Sequence, residues 1–321
     1  MGSNPPKISV IMPAYNTAKL IAASLDSVLQ QSFRDFEIIV VNDGSPDTAA
    51  LEEVLAPYLE KIIYIKQENK RAAGARNTAI RQARGEFLAF LDSDDIWLPD
   101  HLGSQMKLFT EDPTLGLVYS NCLAFADPTR TDTFMDRCRS EGAATFDALV
   151  VERCQIPIST VVARKSAIVK AGLFDEALVR CDDYDMWLRT AFYGAKIGYS
   201  RKVQARLNEG RPGSLGVGDA KMAEAYWKIL EKAKQKLPLT GVDREIVAAR
   251  AAEIRALYLL EEGRVALRDG EFDKARQMFS EANAHFRRPK VSLVLFGLKI
   301  APRATRKLVN FAGRIRQPKR G

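Results

Sequence analysis

The sequence predicts an α/β domain, with a mainly parallel sheet flanked by helices, followed by a helical C-terminal region. Three observations carry this. Short apolar β-rich runs alternate with helical spacing through roughly the first hundred residues, the run at 87–91 is continuously apolar, and strand signals stop near 219. The first strand is expected at 8–12. A helix follows through Leu20, Ile21, Leu25, Val28 and Leu29, with Asn16 or Thr17 placed to cap it. A second strand spans 36–41 and ends in Asn42-Asp43-Gly44-Ser45; a helix at 47–59 and a third strand at 62–65 follow. The helix at 72–83 is expected to stop at Gly85 as a C-cap. The fourth strand, 87–91, reads as buried on both faces.

Beyond Pro99 a helix is expected to 109, strands at 115–125 and 159–163, and a helix at 182–193 ended by Gly194. After the Gly-rich loop 210–218 the chain turns rich in Ala, Glu, Lys and Arg. Three segments result: a catalytic domain over 1–215, a helical region over 216–286 and a basic amphipathic tail over 287–321. Within the helical region, Gly270-Glu271-Phe272-Asp273-Lys274-Ala275 resembles the turn of one tetratricopeptide hairpin. A single such unit is not a solenoid.

Charge divides along the chain. Eleven Lys/Arg and no Asp/Glu follow Glu281, leaving 37 basic against 40 acidic residues before it. A nucleic-acid-binding protein would place its excess on the folded body, so no nucleic-acid partner is expected. In the tail Ala304, Leu308, Phe311, Ala312 and Ile315 share one helical face, with Arg303, Arg306, Lys307, Arg314 and Arg316 around it. That pattern suits an anionic membrane surface or a solvated tail.

Two histidines, His101 and His285, leave little room for a zinc site or a Ser-His-Asp triad. Cys122, Cys138, Cys154 and Cys181 form no C-x-x-C and read as reduced thiols of a cytoplasmic protein. Residues 1–7 are polar with two prolines, unlike a signal peptide, and no apolar run approaches the ~18 residues of a bilayer span.

Between the first strand and helix stands Pro13-Ala14-Tyr15-Asn16-Thr17, without the glycines of a dinucleotide fingerprint or a P-loop. A phosphate ligand must be neutralised otherwise. Asp92-Ser93-Asp94-Asp95 follows the fourth strand, at the sheet end where open α/β folds bind ligands. Asp92 and Asp94, two apart in extended chain, point to one side. Their hard oxygens suit Mg²⁺ or Mn²⁺, unless the acids merely cap the next helix. Asp43 ends a strand and suits a nucleobase or ribose contact, or a plain turn. Arg76 with Asn77 suits a surface ion pair or a phosphate contact. Asp182 and Asp183 open a helix, where the dipole favours charge; the same setting keeps a general base ionised.

These segments, in this order, resemble the family-2 glycosyltransferases: Ile8-Ser9-Val10-Ile11-Met12-Pro13-Ala14-Tyr15-Asn16, Val41-Asn42-Asp43-Gly44-Ser45, Gly74-Ala75-Arg76-Asn77, Leu91 to Asp95, Phe174-Asp175-Glu176 and Asp182 to Arg189. The resemblance covers about two thirds of the chain. It implies a GT-A fold and inverting transfer from a nucleotide-diphospho-sugar, UDP-sugars favoured, to a saccharide or lipid-linked saccharide. It implies that Pro13, Ala14 and Tyr15 border the base and ribose, that Asp43 bonds the base, and that Arg76 lies near the nucleotide. Asp92 and Asp94 stand at the family's D-x-D positions, with Ser93 between them on the donor, implying contacts to ribose and metal. Asp183 matches the catalytic base; its neighbour is Asp182 where the family has Glu. Arg211-Pro212-Gly213-Ser214 is similar to the family's late loop but lacks its frequent histidine. The Q-x-x-R-W signature of processive synthases is absent, as are their membrane spans, which favours a single-addition enzyme of cell-surface assembly; lipid-linked acceptors would suit peripheral attachment through the basic tail.

Two other readings stay open on the residues. A sugar nucleotidyltransferase would need a Gly-rich basic loop after the first strand, absent here. A non-catalytic scaffold would need no intact acids at 43, 92, 94 and 183.

Overall fold

The computed structural model describes residues 5–124, 132–138, 140–208 and 220–316, with side chains through 309. The chain divides into two compact units, Met1–Leu215 and Gly216–Gly321.

Among the described residues the first unit has eight strands: β1 (Ile8–Ala14), β2 (Phe36–Asp43), β3 (Ile63–Gln67), β4 (Phe87–Phe90), β5 (Ile96–Trp97), β6 (Leu115–Ala124), β7 (Val162–Arg164) and β8 (Lys196–Leu207). Their order is β3-β2-β1-β4-β7-β6-β8-β5. β1 pairs parallel with β2 and β4, β2 with β3, and β6 with β8. β7 runs antiparallel to β4 and β6, and β5 antiparallel to β8. The sheet is therefore mixed but mostly parallel. β1, β2 and β4 are buried almost throughout, as their unbroken Val, Ile, Leu and Phe runs require. From β1 the chain winds outward to β2 and β3, then returns to place β4 on the other side of β1. That reversal opens a crevice at the carboxyl ends of β1 and β4, where such sheets take ligands.

Several expectations need correction. No side chain caps the helix Ile21–Leu29. Asn16 instead adopts left-handed φ 54°, and the Thr17 carbonyl accepts the Leu20 and Ile21 N–H groups. Gly85 is not a C-cap, because helix Arg71–Gln82 ends with Ala83 already extended. Its need is space: a Cβ there would stand 2.6 Å from the Ser9 nitrogen and 2.7 Å from the Ile8 carbonyl carbon, so the turn into β4 presses on β1. Gly85→Ala should cost about 1–3 kcal/mol by overpacking, read from urea unfolding. The strand expected at 159–163 is a tight turn, Ile158–Thr160, followed by β7. Gly194 does end helix Asp182–Phe192, with φ 90°. β5 and β8 were not expected. β8 mixes charged and apolar residues and meets β6 through register shifts, so its period is broken.

His101, in helix His101–Glu111, is fully buried against Trp97 with ring centroids 4.4 Å apart. Burial pushes its pKa down to about 3, which a backbone contact with Gln204 only partly offsets. An imidazole held neutral in the fold protonates more readily when unfolded. Its contribution is therefore intact above about pH 6.5 and is lost as pH falls toward 3. Acidifying to pH 5 should cost about 2 kcal/mol through this residue. His101→Phe should remove that part of the pH dependence in urea unfolding; an equal loss in the variant would contradict the assignment.

The second unit contains helices Ala220–Lys236, Gly241–Asp269, Phe272–Phe286, Pro289–Ile300 and Pro302–Arg316. The hairpin expected around Gly270 to Ala275 turns at Gly270, φ 88°. A Cβ on Gly263 would lie 2.9 Å from the Phe279 ring, so the two helices need that glycine to close. The described part of the segment read from sequence as a tail packs into this unit: Leu298, Val291, Val294, Leu295 and Val309 join the core of Leu260, Leu267, Ala275 and Phe279. Loop 210–218, including Arg211 to Ser214, and the side chains of Phe311, Ala312, Arg314, Ile315 and Arg316 lie outside the described residues.

Candidate active site

The crevice is assembled from chain segments far apart in sequence. The loop after β1 is tied to the loop after β2: Asn16 N donates to Ser45 Oγ at 2.7 Å and Ala18 N to Asp47 Oδ2 at 2.9 Å. It is tied to the loop after β4 as well, because Ser93 Oγ donates to Thr17 Oγ1 at 2.9 Å. Pro13 and Ala14 end β1, and Tyr15 stands 49% exposed at the rim. Asp43 is buried at the end of β2. Its Oδ1 accepts from Gln67 Nε2 at 2.7 Å and from Lys70 N at 2.8 Å, so it holds the chain entering helix Arg71–Gln82.

After β4 the chain is not extended as expected: Ser93 and Asp94 form a turn in which Asp95 N donates to the Asp92 carbonyl at 3.0 Å, leaving Ser93 and Asp95 buried and Asp92 and Asp94 partly exposed. Asp95 turns inward and accepts from Ser159 Oγ and, at 2.8 Å, from Asn208 N, which pins the end of β8. Ser159 Oγ also accepts from Asp92 N at 3.1 Å. Burial, then the charges of Asp92 and Asp94, raise the Asp95 pKa well above the usual carboxylate range.

Arg76 is the hub. It is expected from sequence at the surface or on a phosphate; its side chain is only 5% exposed. Nη2 lies 2.7 Å from Asp92 Oδ1 and Nη1 lies 2.7 Å from Asp182 Oδ2, while the Phe174 ring sits 5.6 Å from the guanidinium. Burial alone would weaken its charge; Asp92, Asp182 and Asp183 outweigh this, and its pKa is raised. The adjacent Asn77 clasps the Phe174 backbone, Nδ2 donating to its carbonyl at 2.8 Å and Oδ1 accepting its N–H at 2.9 Å. One turn of helix thus joins the β4 end, the 174–176 segment and helix Asp182–Phe192.

That helix starts abruptly. Cys181 adopts left-handed φ 57°, a strained conformation of the kind that collects at functional sites, and delivers Asp182 and Asp183 to its first turn. The two acids differ. Asp182 is paired with Arg76, whereas Asp183 Oδ1 accepts only the Tyr184 N–H at 2.8 Å and, among the described residues, Oδ2 accepts no hydrogen bond. Burial first, then the charge of Asp182, push the Asp183 carboxyl up to about 7, against the lowering pull of Arg76. Asp185, on the inward face, is bound at 2.7 Å by Arg189 and serves packing.

A divalent metal is implied by the acids after β4. Among the described residues no group of three or more His, Cys, Asp or Glu converges on one point. The donor set nevertheless fits Mg²⁺ or Mn²⁺. Asp92 and Asp94 offer hard, partly exposed carboxylate oxygens, and such ions take most of their ligands from water and phosphate.

Of the residues expected from sequence, Pro13, Ala14, Tyr15, Ser93, Asp92 and Asp94 gather at the β1–β4 crevice. Arg76 joins Asp92 to Asp182, beside Asp183. Sequence reasoning missed Ser159, which bonds both Asp92 N and Asp95, Asn208, which bonds Asp95, and the role of Thr17 in holding Ser93. No local pattern marks them.

The chain is similar to known glycosyltransferases. The model of glycosyl transferase family 2 matches residues 9–154, a stretch ending before the Asp182 helix. The Escherichia coli UDP-Glc:alpha-D-GlcNAc-diphosphoundecaprenol beta-1,3-glucosyltransferase WfgD is 31% identical over 181 residues, 56% of this chain and 68% of that protein. Some relatives are longer: the chain spans 27% of an uncharacterized glycosyltransferase of Rickettsia bellii. Among solved structures, Staphylococcus aureus TarS 1–349 in complex with UDP-GlcNAc superposes with a TM-score of 0.62 at 19% identity, covering 98% of this chain and 93% of that one. The mannosyltransferase PcManGT of Pyrobaculum calidifontis, in complex with GDP-Man and Mn²⁺, gives 0.62 at 21% identity over 95% and 84%. These likenesses carry the GT-A fold. With the family model, the WfgD similarity and the crevice in agreement, the chain belongs to glycosyltransferase family 2.

Proposed function

We propose that the protein is an inverting glycosyltransferase that moves a sugar from a nucleotide-diphospho-sugar, a UDP-sugar by preference, to an acceptor hydroxyl in cell-surface polysaccharide or glycolipid assembly. The observation that carries the reading is the Arg76 bridge. One buried guanidinium holds Asp92, at the donor end of the sheet, and Asp182, beside the proton acceptor, 2.7 Å away each. The two halves of a displacement reaction are thereby held in fixed register.

Tyr15, Pro13 and Ala14 border the base and ribose, Asp43 and Ser93 shape the same pocket, and Asp92 bonds the ribose. Asp94 and Asp92 would hold Mg²⁺ or Mn²⁺, which when bound neutralises charge on the diphosphate leaving group. Asp183 Oδ2 takes the proton of the acceptor hydroxyl as that oxygen attacks the anomeric carbon. The bond to the diphosphate breaks on the opposite face, and the nucleotide leaves with the electron pair. A carboxyl pushed up to about 7 is matched to that task near neutral pH. Asp182, engaged by Arg76, positions its neighbour.

The names of the related proteins support the substrate classes. WfgD uses UDP-Glc and a diphosphoundecaprenol-linked acceptor, and TarS was solved with UDP-GlcNAc. A lipid-linked acceptor calls for peripheral placement on the cytoplasmic face, with the basic segment 287–321 toward anionic headgroups. No helix among the described residues is long and apolar enough to cross a membrane.

Thermal shift with UDP-, GDP- and TDP-sugars, with and without Mn²⁺, tests the donor site. UDP-sugars with Mn²⁺ should raise the melting temperature most and be slowly hydrolysed. No shift and no hydrolysis with any donor would favour a non-catalytic scaffold.

A further inference from the structure

Helix Pro289–Ile300 has two apolar faces. Val291, Val294, Leu295 and Leu298 turn inward to the core of the helical unit. On the opposite face Leu293, Phe296 and Ile300 follow one another at helical spacing and stand 71%, 62% and 65% exposed. A helix apolar all round is ordinarily buried all round, and adjacent exposed large side chains mark a contact surface. The ridge is flanked by Lys290 and Lys299, both exposed. The next helix, Pro302–Arg316, crosses close by at Gly297, where a Cβ would meet Thr305 Oγ1 at 2.5 Å. It adds exposed Arg303, Lys307 and Leu308. No acidic residue follows Glu281.

We infer that the Leu293–Phe296–Ile300 ridge is a membrane-contact surface that inserts into the headgroup region of an anionic bilayer, held there by the surrounding lysines and arginines. The charge selects the occupant: eleven basic residues with no acid among them complement anionic lipid, and the ridge supplies the apolar wedge that charge alone lacks. This rests on the peripheral placement proposed above but not on the transfer reaction. It shifts the anchor from the face of Leu308 and Ile315 to helix Pro289–Ile300.

The test is co-sedimentation of the full chain with phosphatidylglycerol-containing and pure phosphatidylcholine vesicles. The unaltered chain should bind the anionic vesicles only. A ridge variant, Leu293→Ser with Phe296→Ser and Ile300→Ser, should bind at least about tenfold more weakly, with an unchanged melting temperature since all three positions are exposed. A charge variant, Lys299→Gln with Arg303→Gln and Lys307→Gln, should bind with a shallower salt dependence. Binding by the ridge variant as tight as by the unaltered chain would overturn the ridge while leaving peripheral attachment standing. No binding by the unaltered chain would overturn both. A dimer in size-exclusion chromatography that the ridge variant abolishes would assign the face to a second copy and overturn the inference.

Discussion

Replacing Arg76 with methionine should destabilise the catalytic unit by about 3–5 kcal/mol, because it removes the cation from a buried cluster and leaves its acids uncompensated. Asp92 and Asp182 each lose a 2.7 Å partner, and Asp183 loses the one nearby charge that lowers its pKa. For a unit of this size the fall in melting temperature is about 10 °C. The loss should be greatest above neutral pH. Without Arg76 the Asp183 carboxyl, already pushed up to about 7, loses the charge that opposes that rise, so ionising it costs more folding energy as pH climbs, and acidification relieves it. Arg76→Lys should recover only part, since an ammonium cannot span two carboxylates as a planar fork does. A melting temperature for Arg76→Met within a degree or two of the unaltered protein would show that the acids tolerate one another without the bridge.

Asp183→Asn should have the opposite profile. Transfer should fall by about 10²–10⁴-fold through loss of the proton acceptor. Stability at pH 8 should rise or hold, because a carboxyl pushed up to about 7 disfavours folding once ionised. Its cost is absent below about pH 4 and develops as pH climbs to about 7, so the variant's advantage should vanish at low pH. Asp182→Asn should instead lose stability, since it leaves Arg76 with one partner. Equal effects of the two substitutions on stability would contradict the division of roles.

The parts of the site written in contiguous residues were legible in the sequence. The apolar runs of β1, β2 and β4 fixed the sheet, and the acids following β4 fell where chain reversal makes a crevice. Asp182 and Asp183 were readable as a helix start. What could not be read was pairing over long separations. Arg76 and Asp182 lie 106 residues apart, and nothing around Arg76 distinguishes a buried bridge from a surface pair. Asp95 looks like its neighbours, yet the turn at Ser93 and Asp94 carries it inward to serve Ser159 and Asn208. β8 escaped because it alternates poorly, being placed by β6 on one side and β5 on the other rather than by its own pattern. Gly85 was misread because a close approach of backbones leaves the same mark in sequence as a helix stop.

The central claim is that Asp183 accepts the proton in the transfer step. The measurement that bears on it most directly is the pH dependence of kcat with the donor that thermal shift selects. The account predicts a rate that climbs as pH rises through about 7 and levels above it, with that limb missing from the residual activity of Asp183→Asn. A rate independent of pH between 5 and 9 in the unaltered protein, or the same limb persisting in the variant, would contradict it.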